Sequence, residues 1–155
     1  MKKFVITVFL IAATLFACEL RADDTSGMQP ADLMFWKVMK AYNSKDTVSI
    51  DKILWPNSPW RNKIIERTNT DLTCFESISF VIRPMSVVYY KRMGYDNIES
   101  RVMEEFKGFN IKDKTYQESM STTVFKVIKD EVGNYYIMNW ERIYVAPMIN
   151  IEKKQ

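Results

Sequence analysis

The order of local patterns in the chain predicts an α+β fold, with N-terminal helices packed on a curved antiparallel sheet. Helical periodicity is confined to the first part of the sequence, strand-type composition fills the rest, and no helical stretch separates the later strands. Parallel neighbours would need a crossover of about a dozen residues or more between them. A parallel α/β arrangement is therefore disfavoured.

The helices come first. Pro30 suits a first helical turn, and Asp32 lies where the positive end of a helix dipole favours a carboxylate. From Ala31, Phe35, Val38 and Tyr42 share one face, Met34 and Met39 widen it, and the helix ends near Asn43-Ser44. Asp46-Thr47 caps a second, short helix through Ile50, Ile53, Leu54 and Trp55, which Pro56 closes. Ser58-Pro59 starts a third, carrying Trp60, Ile64 and Ile65 and ending around Thr68 to Thr70.

After Asp71 the pattern changes to strands. Phe75 to Ile82 is β-branched and aromatic, Pro84 interrupts it, and Val87 to Tyr90 resumes before a turn at Gly94. Ile98 to Phe106 alternates, with Ile98, Val102 and Phe106 on one side and Glu99, Arg101 and Lys107 on the other. A turn at Gly108 to Lys114 leads to a long strand from Tyr116 to Ile128. A reverse turn from Lys129 to Asn134 then precedes the last strand, Tyr135 to Val145.

The N-terminus reads as an export signal. Lys2 and Lys3 form a positive n-region, and Phe4 to Ala17 is an uncharged run ending before Glu19 and Arg21. That run is shorter than the roughly 20 apolar residues a membrane-spanning helix needs, so it is expected to be removed rather than to span. Two cleavage sites compete. Leu15-Phe16-Ala17-Cys18 resembles a lipoprotein box in which Cys18 would be lipidated, with Phe16 departing from the usual small or β-branched residue; Leu20-Arg21-Ala22 precedes an ordinary cut before Asp23. The organisation expected is a signal over 1–22, or 1–17 with lipidated Cys18, a linker over 23–29, one domain over 30–148 and a tail over 149–155. The product is exported, either to the periplasm or, tethered through Cys18, to the outer membrane.

Either cut leaves Cys74 as the only cysteine, so no intramolecular disulfide is available and stability must come from the core. The mature chain, about 130 residues, is sufficient for one domain and too short for two. Its charge is nearly balanced: without Lys2, Lys3, Arg21 and Glu19, 19 basic residues face 18 acidic ones. Nothing in that balance favours nucleic acid as a partner.

Several local phrases resemble the NTF2-like, cone-shaped α+β superfamily, particularly its small exported and lipoprotein-type members. They are Ala41-Tyr42-Asn43 with Asp46 following, the short helix running to Leu54-Trp55, and the closing hairpin Gly133-Asn134-Tyr135-Tyr136-Ile137-Met138-Asn139-Trp140. The resemblance covers roughly Pro30 to Val145. It implies a sheet wrapped round the helices, a pocket between them and homodimerisation through the sheet. Similar folds serve enzymes, ligand carriers and assembly subunits, so the resemblance does not select a function.

The chain contains no histidine, which removes the commonest general base, Ser-His and Cys-His nucleophiles, most zinc sites and the His-Asp pair of some NTF2-like dehydratases. Its four glycines form no phosphate-binding loop. No catalytic residue, metal or cofactor is predicted. An isomerase-like chemistry would need a Tyr hydroxyl and a carboxylate, for which Tyr42, Tyr89, Tyr90 and Asp32 are available without a spacing that selects them. Cys74 reads as a small buried hydrophobe at a strand edge, and Glu104-Glu105 as solvated or rim carboxylates facing opposite sides of a strand.

The aromatic residues Trp36, Tyr42, Trp55, Trp60, Phe80, Phe106 and Trp140 are the candidates for a ligand pocket between helices and sheet, or else for its core filling. The function expected is an exported binding or interaction module recognising a protein partner or a small apolar ligand. The alternatives are a structural subunit of an envelope secretion or conjugation assembly, and a small Tyr/Asp-dependent isomerase or dehydratase.

Overall fold

A computed structural model describes residues 25–151. The predicted signal, Cys18 and both cleavage sites lie outside the described residues. Three helices, α1 (Pro30–Asn43), α2 (Thr47–Ile53) and α3 (Arg61–Cys74), precede five strands: β1 (Phe75–Arg92), β2 (Tyr95–Asn110), β3 (Thr115–Lys129), β4 (Tyr135–Val145) and β5 (Ile149–Ile151). The long strands follow one another in space, β1-β2-β3-β4, all antiparallel, and β5 pairs with β3 beside Tyr116 to Glu118. The α+β expectation holds. The stretch expected as a tail begins instead as a sheet strand.

Helix α1 buries Ala31, Met34, Phe35, Val38, Ala41 and Tyr42, a stripe at helical spacing that lies on the sheet. At its end Asn43 clamps β1, donating from Nδ2 to the Phe80 carbonyl (3.1 Å) and accepting the Phe80 N–H at Oδ1 (2.6 Å). Asp46 caps α2 by accepting the Ser49 N–H at 2.9 Å. Leu54 then forms a parallel bridge to Ile137, and the Trp55 N–H reaches the Ile137 carbonyl at 2.8 Å. The helical layer is thereby pinned to the last long strand as well as the first.

Helix α3 differs from expectation at both ends. The Ser58 hydroxyl accepts the Trp60 N–H and donates to the Met138 carbonyl, holding Pro59 and Trp60 in a turn so that the helix starts at Arg61. It continues to Cys74 because Ile64, Thr68 and Leu72, at intervals of four, remain on its buried face. Cys74 is consequently the exposed last helical residue and not a buried strand-edge cysteine.

Pro84 does not end β1, because β1 is an edge strand and absorbs the missing N–H in a register shift between Pro84 and Ser86. Gly108, expected to open a turn, lies within β2 opposite Ile78 and Gln117. A Cβ there would stand 2.7 Å from the Phe75 ring and 2.8 Å from the Ser77 carbonyl, so close packing accounts for the glycine. The turn begins two residues later, where the Asn110 side chain accepts the N–H groups of Lys112 and Asp113.

The core fills the space between helices and sheet, with Met34, Phe35, Val38, Ile50, Leu54, Phe80, Ile98, Phe125 and Ile137 all buried. Each such side chain contributes about 1.5–3 kcal/mol when removed from water. A core of this size stabilises the domain without a disulfide.

Candidate functional site

The inward rows of the sheet are not uniformly apolar. Glu104 of β2 faces the same side as Ile98, Val102 and Phe106, and it is only 1% exposed. Ser121 lies opposite it on β3, while Val102, Thr123 and Arg142 form the adjoining row and Ser100, Phe125 and Trp140 the next. Strand alternation thus collects a carboxylate, a guanidinium, a hydroxyl and an indole in one patch of the interior.

These groups form one connected network. Glu104 accepts the Trp140 indole N–H at Oε1 (2.5 Å), and at Oε2 it accepts the Ser121 hydroxyl and the Arg142 Nε, each at 2.9 Å. Arg142 Nη2 donates to Asp71 Oδ2 of α3 at 3.1 Å, and the Tyr42 hydroxyl of α1 donates to the same oxygen at 2.7 Å. Side chains from α1, α3, β2, β3 and β4 are thereby tied to two carboxylates. The Trp140 ring stacks on Phe125 (5.1 Å between centroids) and meets Tyr42 edge-on at 5.7 Å, and Tyr42 stacks on Phe80 at 4.3 Å.

The electrostatics follow from burial and pairing. Burial pushes the Arg142 guanidinium down, but the charges of Glu104 and Asp71 outweigh it and hold the group above its ordinary value. For Tyr42, burial and then the Asp71 charge both push the hydroxyl up. Arg67 of α3 is different. Burial lowers it first, the like charge of Arg142 adds to that, and the opposing charges of Glu104 and Asp71 do not compensate.

Arg67 borders a cleft of about 370 Å³ between α3 and β4, whose lining is Trp60, Lys63, Ile64, Arg67, Asn139, Trp140, Glu141, Arg142 and Val145. Its guanidinium lies over the Trp140 ring, 4.8 Å from the centroid, and Nη1 donates to the Trp140 carbonyl at 3.0 Å. Its Nε and Nη2 are buried and have no hydrogen-bond partner. Lys63 sits 5.8 Å over the ring of Trp60, which is 42% exposed at the rim. The volume falls within the usual range for small-ligand sites.

Of the seven aromatic candidates, only Trp60 and Trp140 border this cleft. Tyr42 and Phe80 stack behind Trp140 in the core, and Phe106 packs edge-on to Phe75 (4.7 Å) farther along the sheet. Trp55 packs on Tyr136 at 5.4 Å, whereas Trp36 lines a separate groove between α1 and α2, with the Lys40 ammonium 4.7 Å above it. Asp32 and Tyr89 are exposed and outside the network, Tyr90 is half-buried and also outside it, and the carboxylate that Tyr42 meets is Asp71. Glu105 is a rim residue paired with Arg83 at 2.7 Å, but Glu104 is buried, a correction that its alternation with the inward apolar residues could have signalled. Arg67, Asp71 and Arg142 escaped the sequence reading altogether. Among the described residues, no group of three His, Cys, Asp or Glu side chains could hold a metal ion.

No family model and no curated protein matches the sequence. Among solved structures, LinA superposes with a TM-score of 0.64 at 7% identity, covering 80% of this chain and 88% of that one. A scytalone-dehydratase-like protein from Novosphingobium aromaticivorans gives 0.58 at 10% identity, covering 81% and 87%. The hexachlorocyclohexane dehydrochlorinase LinA-type3 from Novosphingobium barchaimii gives 0.53 at 9%, covering 76% and 87%. These are NTF2-like cone folds, and the fold of this chain is NTF2-like.

Proposed function

We propose that this NTF2-like domain is an exported binding module whose α3–β4 cleft takes a small ligand with an apolar body. The observation that carries the reading is the cleft itself, where Trp60, Ile64, Trp140 and Val145 offer apolar surface beside a few fixed polar groups. The internal carboxylate Glu104 favours binding over catalysis. Its oxygens accept from Trp140, Ser121 and Arg142, which leaves that side chain a structural role. The Tyr42 hydroxyl is likewise committed to Asp71 and has no exposed surface from which to serve a substrate. Export rests on the charged-then-apolar N-terminus, and the cut before Cys18 or after Ala22 decides between a lipid tether and a free periplasmic protein.

The test is a native mass spectrum of the processed protein extracted gently from its own cell envelope. A small molecule retained in proportion to the chain supports the reading, and the mass of the N-terminal peptide distinguishes a diacylglyceryl group on Cys18 from a start at Asp23. A stoichiometric second protein with no retained small molecule would overturn it in favour of an assembly subunit.

A second reading, a histidine-free lyase or isomerase, is supported by the enzymes among the structural neighbours and by Asp71. The hydrogen bonds of Asp71 to Tyr42 and Arg142 both fall on Oδ2, leaving Oδ1 outside those contacts as the oxygen that could accept a proton. Turnover of a halogenated or hydroxylated ring substrate that disappears in Asp71→Asn, with the fold intact by circular dichroism, would establish it.

A further inference from the structure

Three cations line the α3–β4 cleft, and they are not equivalent. Arg142 is matched by two carboxylates, Glu104 at 2.9 Å and Asp71 at 3.1 Å. Lys63 stands at the rim over Trp60. Arg67 lies in no ion pair within 4.0 Å among the described residues, and its Nε and Nη2 have no acceptor. Those two nitrogens lie along one edge of the guanidinium, the edge that grips a carboxylate with two parallel hydrogen bonds. An arginine keeps its proton in proteins, and hiding its donors without an acceptor is costly. The Nε and Nη2 edge of Arg67 is thus without an internal counterpart.

The rest of the lining limits what that counterpart can be. Lys63, Arg67 and Arg142 stand against Glu141 in the lining and Glu104 and Asp71 behind Arg142, so the charges of the region balance, while the Nε and Nη2 donors of Arg67 remain unmatched. A monoanion on that one two-donor edge disturbs the balance less than a dianion such as phosphate. The remaining walls, Trp60, Ile64, Trp140 and Val145, are apolar and suit a hydrocarbon or aromatic body more than an inorganic ion. We infer that the ligand is an amphipathic organic monoanion, a carboxylate or sulfonate on an apolar body, whose head group is held by the Nε and Nη2 edge of Arg67 with Lys63 at the entrance. This inference rests on the cleft being the binding site, as proposed above.

The probes are 1-naphthaleneacetate and 1-naphthaleneacetamide, which share shape and apolar surface and differ in charge, titrated calorimetrically into the processed full-length protein. The acetate should bind at least about tenfold more tightly than the amide, a difference of about 1.4 kcal/mol. Arg67→Met should bring the two within about threefold, and Arg67→Lys, which keeps the charge and loses the fork, should fall between. Trp60→Ala should weaken both probes alike, which places them in the cleft. Equal binding of acetate and amide to the unaltered protein would overturn the anion inference and leave the cleft reading standing. Binding of neither would overturn the cleft reading itself. The ratio in the unaltered protein decides even if Arg67→Met fails to fold.

Discussion

Glu104 and Arg67 are charged groups held within one small region of the cone, and their surroundings differ in kind. Glu104 accepts from an indole and a guanidinium on β4 and a hydroxyl on β3. Arg67 makes one hydrogen bond, to a backbone carbonyl, and rests on the Trp140 ring with two donors unmatched. A buried charge with all its partners supports the architecture, whereas one lacking them detracts from stability unless something from outside completes it. The contrast separates the part of the polar interior that holds the fold from the part available for recognition.

The largest effect expected is on the Glu104 side. Glu104→Ala leaves Arg142, the Trp140 indole and the Ser121 hydroxyl without their shared acceptor, and breaking a buried pair in this way costs about 3–5 kcal/mol. Chemical denaturation should show it as a large fall in midpoint. A loss below about 1 kcal/mol would mean that Glu104 is not structural, and the comparison would collapse.

Trp140→Phe keeps most of the ring contact with Phe125 but removes the N–H donated to Glu104, at a cost of about 1–3 kcal/mol. Because Ser121 and Arg142 still satisfy the other oxygen, the loss should be smaller than for Glu104→Ala by the same denaturation assay.

On the Arg67 side the expectation reverses. Arg67→Met keeps an unbranched stem over Trp140 and removes two unmatched donors, so stability should change by no more than about 1 kcal/mol. If instead Arg67→Met destabilises as much as Glu104→Ala, then Arg67 is a structural group and the two regions are alike.

The smallest effect is a pH slope. Burial and Asp71 raise Tyr42 in the folded state, so its folded value exceeds that of the unfolded chain. Its contribution is complete below the ordinary tyrosine value, about 10, and is lost as pH rises above that toward the folded value. Denaturation midpoints taken from about pH 8 to about pH 11 should decline, and Tyr42→Phe should decline less steeply.

Much of this was legible in the residues. The order of helices and strands, the hairpin at Gly133 and the inward alternation of Ile98, Val102 and Phe106 follow from local propensity and from the period-two geometry of strands. Glu104 has the same parity as those three, so the alternation itself puts it inside. Its polarity obscured the signal, because a carboxylate on a core face is exceptional unless partners meet it. The true end of α3 was obscured in a similar way: Thr68 and Leu72 continue the stripe begun by Ile64, but Thr68 is polar and charged Arg67 and Asp71 stand beside them.

The sequence by itself determined the class of fold, the reliance on a core without disulfides and the exclusion of histidine chemistry, since these depend on composition and on patterns only a few residues long. The tertiary structure alone decided that Tyr42, Asp71, Glu104, Trp140 and Arg142 meet, and that Arg67 enters the same region without a carboxylate of its own. Those contacts join positions far apart in the chain, Asp71 and Arg142 by 71 residues and Arg67 and Trp140 by 73. Whether two distant charges become partners depends on strand register and on where a helix crosses the sheet, and short-range periodicity carries no information about either.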